Sequence, residues 1–476
     1  KEELYSRREV RFRTTISRMG VDALLWTPVP VRYPRSSIIL KEYEDAEVPD
    51  STRTFSHDTM VEVITARFLS DYFAKRSRMQ GEGRIPKKIV PSYLGHSLNG
   101  KRIAIYMEDV GECHLGFLIN EDINNFLDIL RAVAVSTLTT SPNMALDEFC
   151  RSSGDPKRFN YGLALLAKYG FLECREVRSN DTKKIGDPSY VLANSFNKRF
   201  MYNSESQDVI ETTDYKDRKR LIVRKGLETI LAFHRAVSKR QRDHKELIGS
   251  FKSGFFSSLF RRGLKPHYLG RAEVYSQLIF NRSKTAIESH DQQLSEDEKT
   301  TLTDLAREAG HLLAPRSKDE LTFIHGDCYP LNLIVSGNED EVTLIDFLNL
   351  SEGNWMSDIA DFTIFLKLFC GLWEGDESEL LKEAKKEEVN IGHKAWDDFE
   401  AQKIRFEVYR TIYTLGSLSG MLFHHSESFP ALQLDLLSRR RAAYLDHLRR
   451  LRDKVKEDSE GKPISSLIDL VSNKIG

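Results

Sequence analysis

An α+β fold in two lobes is what this 476-residue chain predicts, on three observations. A strand, a long helix and a hairpin follow one another within the first 112 residues, enough for a small lobe built on an antiparallel sheet. From 212 to 476 the apolar spacing is mainly helical, as a larger helical lobe requires. Between them, residues 113–211 hold three helical runs and then a hairpin, an order that reads as an inserted, winged-helix-like segment. Domains are therefore expected at 1–112, 113–211 and 212–476.

The elements follow in order. The first 20 residues are charged and give no clear period; the lack of an apolar core argues against a secretion signal. Residues 23–26 and 37–41 read as strands, the second closing on Lys41, which taken alone is a solvated edge residue. Over 57–76, Met60, Val61, Ile64, Phe68, Leu69 and Phe73 fall on one helical face, with Glu62 in the first turns near the positive end of the helix dipole. Runs 88–98 and 101–110 flank Asn99-Gly100, the strongest short hairpin signal. In the insertion, helices are expected over 123–138, 143–151 and 155–169, then strands over 171–178 and 189–194. Arg158, Lys168, Lys183 and Lys184 could meet phosphates there, so nucleic acid is a candidate partner of this segment alone. So few basic residues leave a weak electrostatic footprint, and a helical insertion or substrate cap is the alternative. Further helices are expected over 220–234, 275–287 and 297–313, the last opened by a capping box at Ser295 and Glu298. Helices over 400–420 and 432–456 close the lobe, followed by a tail that is polar and then weakly helical.

Composition narrows the function classes. A net charge of -1, with 40% hydrophobic and 30% charged residues, suits a soluble globular protein with no global pull toward nucleic acid or membrane. Basic runs at 216–220 and 439–441 read as solvated helix faces. Five scattered cysteines without a C-x-x-C pair suggest neither disulfides nor zinc and fit a reducing, cytoplasmic compartment. The longest apolar run, 362–373, is interrupted by Lys367 and too short to span a bilayer.

One stretch carries chemistry: Phe323-Ile-His325-Gly-Asp327-Cys-Tyr-Pro-Leu-Asn332-Leu-Ile-Val335, then Val342-Thr-Leu-Ile-Asp346-Phe347. Runs 331–335 and 342–347 are short, β-branched and aliphatic, and the polar 336–341 between them reads as a turn. Closing this hairpin brings Asn332 roughly opposite Asp346, with Asp327 in the loop just before. Mg2+ prefers oxygen ligands shared with substrate phosphates. An Asn and an Asp to hold it, with a further Asp to take or orient the proton of an attacking hydroxyl, is the set that phosphoryl transfer uses.

This pattern resembles the catalytic and metal loops of the aminoglycoside phosphotransferase and choline kinase superfamily, small-molecule kinases with a protein-kinase-like fold. The resemblance implies ATP and Mg2+ as cofactors and a small-molecule hydroxyl as substrate. It implies Asp327 as the catalytic residue and Asn332 and Asp346 as metal ligands. Lys41 would meet the nucleotide phosphates, oriented by Glu62. Met107-Glu108-Asp109-Val110 resembles the linker between lobes, whose backbone takes the adenine. Helix 220–234 resembles the large lobe's first long helix, ending in a Leu-His-like element at His234. Asp358, in Asp358-Ile-Ala360, resembles the Asp that braces the catalytic loop from behind, and His325 supports that loop; an Asp opening a helix is also an N-cap. The segment 26–37 departs from the family: it has three prolines and no glycine, so amide donors for phosphate are few; either the loop binds phosphate weakly, Arg32 or Arg35 substitutes, or the loop serves another purpose. Two other readings share the fold: a protein kinase, and a regulatory pseudokinase acting through the insertion. Glu374, Asp376, Glu377 and Glu379 could attract a cationic acceptor or form a solvated acidic loop.

Overall fold

The computed structural model describes residues 38–44, 57–79, 89–99, 102–108, 110–111, 113–137, 142–154, 156–168, 170–175, 189–193, 196–238, 245–261, 271–288, 290, 292–315, 321–336, 341–370, 374–390, 399–423 and 431–476. The described chain is mostly helical, with small antiparallel sheets. Its elements run β1 (Ile38–Glu44), α1 (His57–Met79), β2 (Tyr93–Asn99), β3 (Arg102–Glu108), β4 (Cys113–His114), α2 (Leu115–Leu118), α3 (Leu127–Thr137), α4 (Pro142–Ser152), α5 (Pro156–Lys168), β5 (Leu172–Arg175) and β6 (Ser189–Leu192). There follow β7 (Phe200–Asn203), β8 (Asp208–Glu211), α6 (Tyr215–Val237), α7 (Lys245–Arg261), α8 (Ala272–Glu288), α9 (Glu296–Leu313), β9 (Thr322–Ile324), β10 (Leu333–Val335) and β11 (Val342–Leu344). The chain ends with β12 (Ser351–Gly353), α10 (Met356–Phe369), α11 (Glu374–Asn390), α12 (Phe399–Phe423), α13 (Ala431–Val455) and α14 (Lys462–Ile475). It divides into two compact units. One comprises 1–229, 242–266 and 331–349; the other comprises 230–241, 267–330 and 350–476.

In the first unit, β1, β3 and β2 form an antiparallel sheet in the order β1-β3-β2. Lys41 is mid-strand rather than at the strand's end, because the ladder to β3 continues through Glu44. β2 begins at Tyr93, later than the sequence suggests. Pro91 has no N–H to give a ladder, and the Ile89 carbonyl instead accepts from Leu344 N at 2.9 Å. Helix α1 covers this sheet: Met60 and Val63 pack on Ile105, with Tyr93 and Met107 beside them. Its other flank takes α7, where Phe68 and Tyr72 meet Phe251 and Phe255 at centroid separations of 4.9 to 6.5 Å.

Over the insertion the observed order is α3, α4, α5 and then the β5–β6 hairpin, with Leu172 opposite Leu192. A second hairpin, β7–β8, follows and was not visible in the sequence. Arg199, 1% exposed, ties this region together. It donates to the Leu118 and Asn120 carbonyls, to Asn124 Oδ1 and to Glu211, and lies 4.8 Å from the Phe200 and Tyr215 rings. A buried guanidinium is tolerated only when its donors are met in this way.

In the second unit α8, α9, α12, α13 and α14 pack on one another, and α10 packs on α12. The predicted capping box opens α9: Ser295 Oγ accepts from Glu298 N at 3.3 Å and Glu298 returns to Ser295 N at 2.8 Å. Arg405 reaches from α12 to the Leu312 carbonyl at 2.7 Å, and the hydroxyls of Tyr409 and Tyr275 meet at 3.1 Å. The short pair β9–β12, with Ser351 opposite Ile324, sets the start of the loop after β9 beside the start of α10.

Candidate active-site elements

Within the second unit, the loop after β9 carries His325, Gly326 and Asp327. Gly326 has φ 80, a left-handed turn that a glycine adopts without a Cβ penalty. This turn points two successive amides at one carboxylate: His325 N donates to Asp358 Oδ2 at 2.8 Å and Gly326 N to Asp358 Oδ1 at 2.9 Å. Asp358 lies in the first turn of α10 and does not cap it; the N-cap position is Trp355, and Asn354 Oδ1 accepts from Met356 N at 3.0 Å. Asp327 N donates to His325 Nδ1 at 3.3 Å, which tightens the loop further. Asp327 itself is half-buried, whereas the His325 and Asp358 side chains are fully enclosed.

Sequence reasoning did not supply the third partner of Asp358. His234, in the last turn of α6, places Nε2 2.9 Å from Asp358 Oδ2, and both side chains are 0% exposed. Burial alone would push the Asp358 carboxyl up. The hydrogen bond and charge of His234, with the Gly326 amide, outweigh it and hold the carboxyl below its ordinary value.

The hairpin belongs to the first unit. β10 and β11 pair with Leu333 opposite Leu344, and Ile345 N donates to the Asn332 carbonyl at 2.9 Å. Asn332 and Asp346 therefore sit together at the hairpin's open end. The strands are shorter than predicted: Pro330–Asn332 and Phe347–Asn349 are single 3-10 turns. Asp346, two residues past the end of β11, has φ 63, a left-handed conformation that Asp tolerates better than most residues and that recurs at functional sites. The turn after it packs on α1, the helix of Glu62.

β4 pairs with β10 on the other side, and His114 Nδ1 donates to the Leu331 carbonyl, fixing the residue before Asn332. Gly111, at the end of the linker, lies so close to β10 that a Cβ would meet Val335 O at 2.6 Å. The linker and the hairpin thus abut within one unit. Met107 and Glu108 end β3, and Val110 is buried. Glu62 is 4% exposed on α1, next to Val63, whose partner Ile105 stands opposite Lys41 in the register. Asp109, the side chain of Lys41, and segment 26–37 with Arg32 and Arg35 lie outside the described residues. So do Lys183, Lys184 and the side chain of Lys168.

Asp327 belongs to one unit and Lys41, Glu62, Met107, Glu108, Val110, Asn332 and Asp346 to the other. Among the described residues no group of three or more His, Cys, Asp or Glu side chains is arranged to hold a metal. None of the described helices is long and apolar enough to cross a membrane. Two surface expectations change. Arg158 is committed to Asp128 at 2.6 Å and to the Asn125 carbonyl at 2.8 Å, which leaves it little to give a phosphate. The 374–379 stretch is not an acidic loop but the start of α11. There Glu377, 6% exposed, pairs with Arg410 and, at 3.0 Å, with Lys367.

The phosphotransferase enzyme family model matches residues 275–385, a segment that contains His325, Asp327, Asn332, Asp346 and Asp358. The resemblance to the aminoglycoside phosphotransferase and choline kinase superfamily read from the catalytic stretch is thus met by an independent match over that stretch. Comparison with curated protein sequences gives no significant match. Among solved structures, amicoumacin kinase hAmiN in complex with AMP-PNP, Ca2+ and Ami is similar at 11% identity and TM-score 0.40, covering 94% of this chain and 91% of its own. An aminoglycoside phosphotransferase from Alicyclobacillus acidocaldarius is similar at 11% identity and TM-score 0.36, covering 99% and 95%. A Plasmodium vivax ethanolamine kinase is similar at 13% identity and TM-score 0.29, covering 61% and 72%.

Proposed function

We propose that this chain is an ATP-dependent phosphotransferase that uses Mg2+ to phosphorylate a hydroxyl of a small molecule. The observation that carries the reading is the placement of Asn332 beside Asp346 at the open end of the β10–β11 hairpin, within the segment that matches the phosphotransferase family. An amide oxygen and a carboxylate are hard donors that fit Mg2+. Two side chains are enough, because this ion usually completes its octahedron with phosphate oxygens and water. When bound, it neutralises charge on the phosphates.

The chain's own residues supply the rest. Asp327 accepts the proton of the acceptor hydroxyl and aligns its oxygen for attack. Asp358 holds the two amides before Asp327, so the loop is set before substrate arrives and little reorganisation is left for the reaction step. Lys41, oriented by Glu62, neutralises the α- and β-phosphates, and the backbone of Met107, Glu108, Asp109 and Val110 takes the adenine. The register of Lys41 opposite Ile105, which packs beside Glu62's neighbour Val63, supports that pairing. An acidic attraction for a cationic acceptor is left out, since Glu377 is engaged in buried ion pairs.

Thermal denaturation with ATP, with and without Mg2+, tests the cofactors: a rise in Tm that depends on Mg2+ is expected. A chain that binds no nucleotide, or binds it indifferently to Mg2+, would be a pseudokinase instead. Phosphorylation of a fractionated metabolite pool with labelled ATP then separates small-molecule from protein acceptors. Label on protein alone would replace this reading with a protein kinase.

A further inference from the structure

The β10–β11 hairpin has three residues on each strand, and a two-stranded hairpin is marginally stable in water by itself. Where its open end stands therefore depends on what grips it. β11 is held from outside the insertion: Leu344 N donates to the Ile89 carbonyl at 2.9 Å and Thr229 Oγ1 to the Val342 carbonyl at 3.0 Å. The other edge, that of β10, meets the insertion at both of that segment's ends. At its start, Cys113 and His114 form β4, the third strand of the sheet, opposite Val335 and Ile334. His114 also donates from Nδ1 to the Leu331 carbonyl, its ring set edge-on against Phe117 at 5.3 Å. Near its end, Lys198 Nζ reaches the Ser336 carbonyl at 3.3 Å, 138 positions away. Ser336 N in turn closes the hairpin turn on the Glu341 carbonyl at 2.8 Å. Arg199, the next residue, joins the two ends of the insertion: it donates to the Leu118 and Asn120 carbonyls shortly after β4 and, at 2.8 Å, to Glu211.

We infer that the 113–211 insertion is a positioning device for the β10–β11 hairpin, with His114 and Lys198 as its positioning residues, and that it sets the affinity for Mg2+. The inference rests on the reading of Asn332 and Asp346 as the Mg2+ ligands. Asn332 follows directly on the carbonyl that His114 holds. Its own carbonyl accepts from Ile345 N at 2.9 Å, one residue before Asp346. A displacement of Leu331 is therefore passed to both ligands across one backbone hydrogen bond. Lys198 works at the opposite end, where the turn fixes the register that sets Leu333 against Leu344. Mg2+ demands near-ideal octahedral geometry, so a small displacement of two ligands weakens its binding.

The test uses the full chain with His114→Phe and Lys198→Met, which keep the ring or the stem and lose the donor. His114→Asn and Lys198→Arg, which keep a donor, are compared with them. Two readouts are taken: hydrogen exchange of the Ile345 amide in the metal-free protein, and the Mg2+ concentration that half-saturates ATP binding in calorimetry. His114→Phe and Lys198→Met should speed exchange at Ile345 and raise that Mg2+ concentration about 10-fold. ATP affinity without Mg2+, and exchange across the β1–β3 ladder, should stay unchanged. His114→Asn and Lys198→Arg should recover both readouts. Wild-type exchange and Mg2+ dependence in the two variants that lose the donor would overturn the inference. So would an equal loss in the donor-keeping variants, or faster exchange without a change in Mg2+ dependence, either of which marks support of the fold alone. A wild type whose ATP binding ignores Mg2+ would overturn the metal reading and the metal half of this inference. Exchange at Ile345 would still report whether the insertion grips the hairpin.

Discussion

Asp358 is a fully buried carboxylate whose oxygens are aimed at the loop of Asp327. Asp358→Asn should cost about 3–5 kcal/mol, the usual penalty for breaking a buried, hydrogen-bonded charge pair, measured by urea denaturation. Its folded pKa lies below the ordinary 3.8, so the stability it gives is complete above that value and is lost as pH falls through the folded pKa. The acid limb below about pH 4 should therefore be shallower in Asp358→Asn than in the wild type. At this scale the spacing of His325, Asp327, Asn332, Asp346 and Asp358 was legible, since each lies in a local motif. The pairings of His114 and His234 were not. Their partners are carbonyls or carboxylates supplied by distant chain, such as Leu331 for His114, 217 positions away.

Helix α1 shows how an element can be legible in itself and illegible in its setting. Its apolar face was plain from Met60, Ile64 and Phe68, and the structure lays Met60 and Val63 on β3. That α7 would brace the opposite flank was hidden, because Phe251 and Phe255 show only that α7 is apolar, not what it meets. Phe255 is fully enclosed, so Phe255→Ala should cost about 3–5 kcal/mol through the cavity it leaves. Because α1 carries Glu62, ATP affinity should fall as well; calorimetry with MgATP reads that directly. An unchanged affinity in a destabilised variant would show that α7 holds the fold without bearing on Glu62. The strands β4, β9 and β12 have two or three residues each and no period to detect. They exist because pairing partners elsewhere in the chain complete them.

The units of the whole molecule are discontinuous in sequence. Residues 331–349 join the unit of 1–229 through the pairing of β10 with β4, a contact that no linear pattern announces. Buried charge in the second unit is equally non-local. His447, 4% exposed, is held to about 2 by burial first and then by Arg410, Lys367, Lys454 and Arg450. Between its ordinary 6.5 and that value the unfolded chain binds a proton that the folded chain does not, so stability rises with pH across this window. His447→Leu should remove about 1.4 kcal/mol per pH unit from the loss of stability between pH 6 and 5, read from denaturation curves at the two values. The central claim is that Asp327 takes the acceptor's proton in a Mg2+-dependent kinase. It is tested most directly by phosphate transfer from labelled ATP to the wild type's own acceptor, compared with Asp327→Asn. The account predicts a loss of about 10²–10⁴-fold in kcat with MgATP binding retained; transfer by Asp327→Asn at the wild-type rate would contradict it.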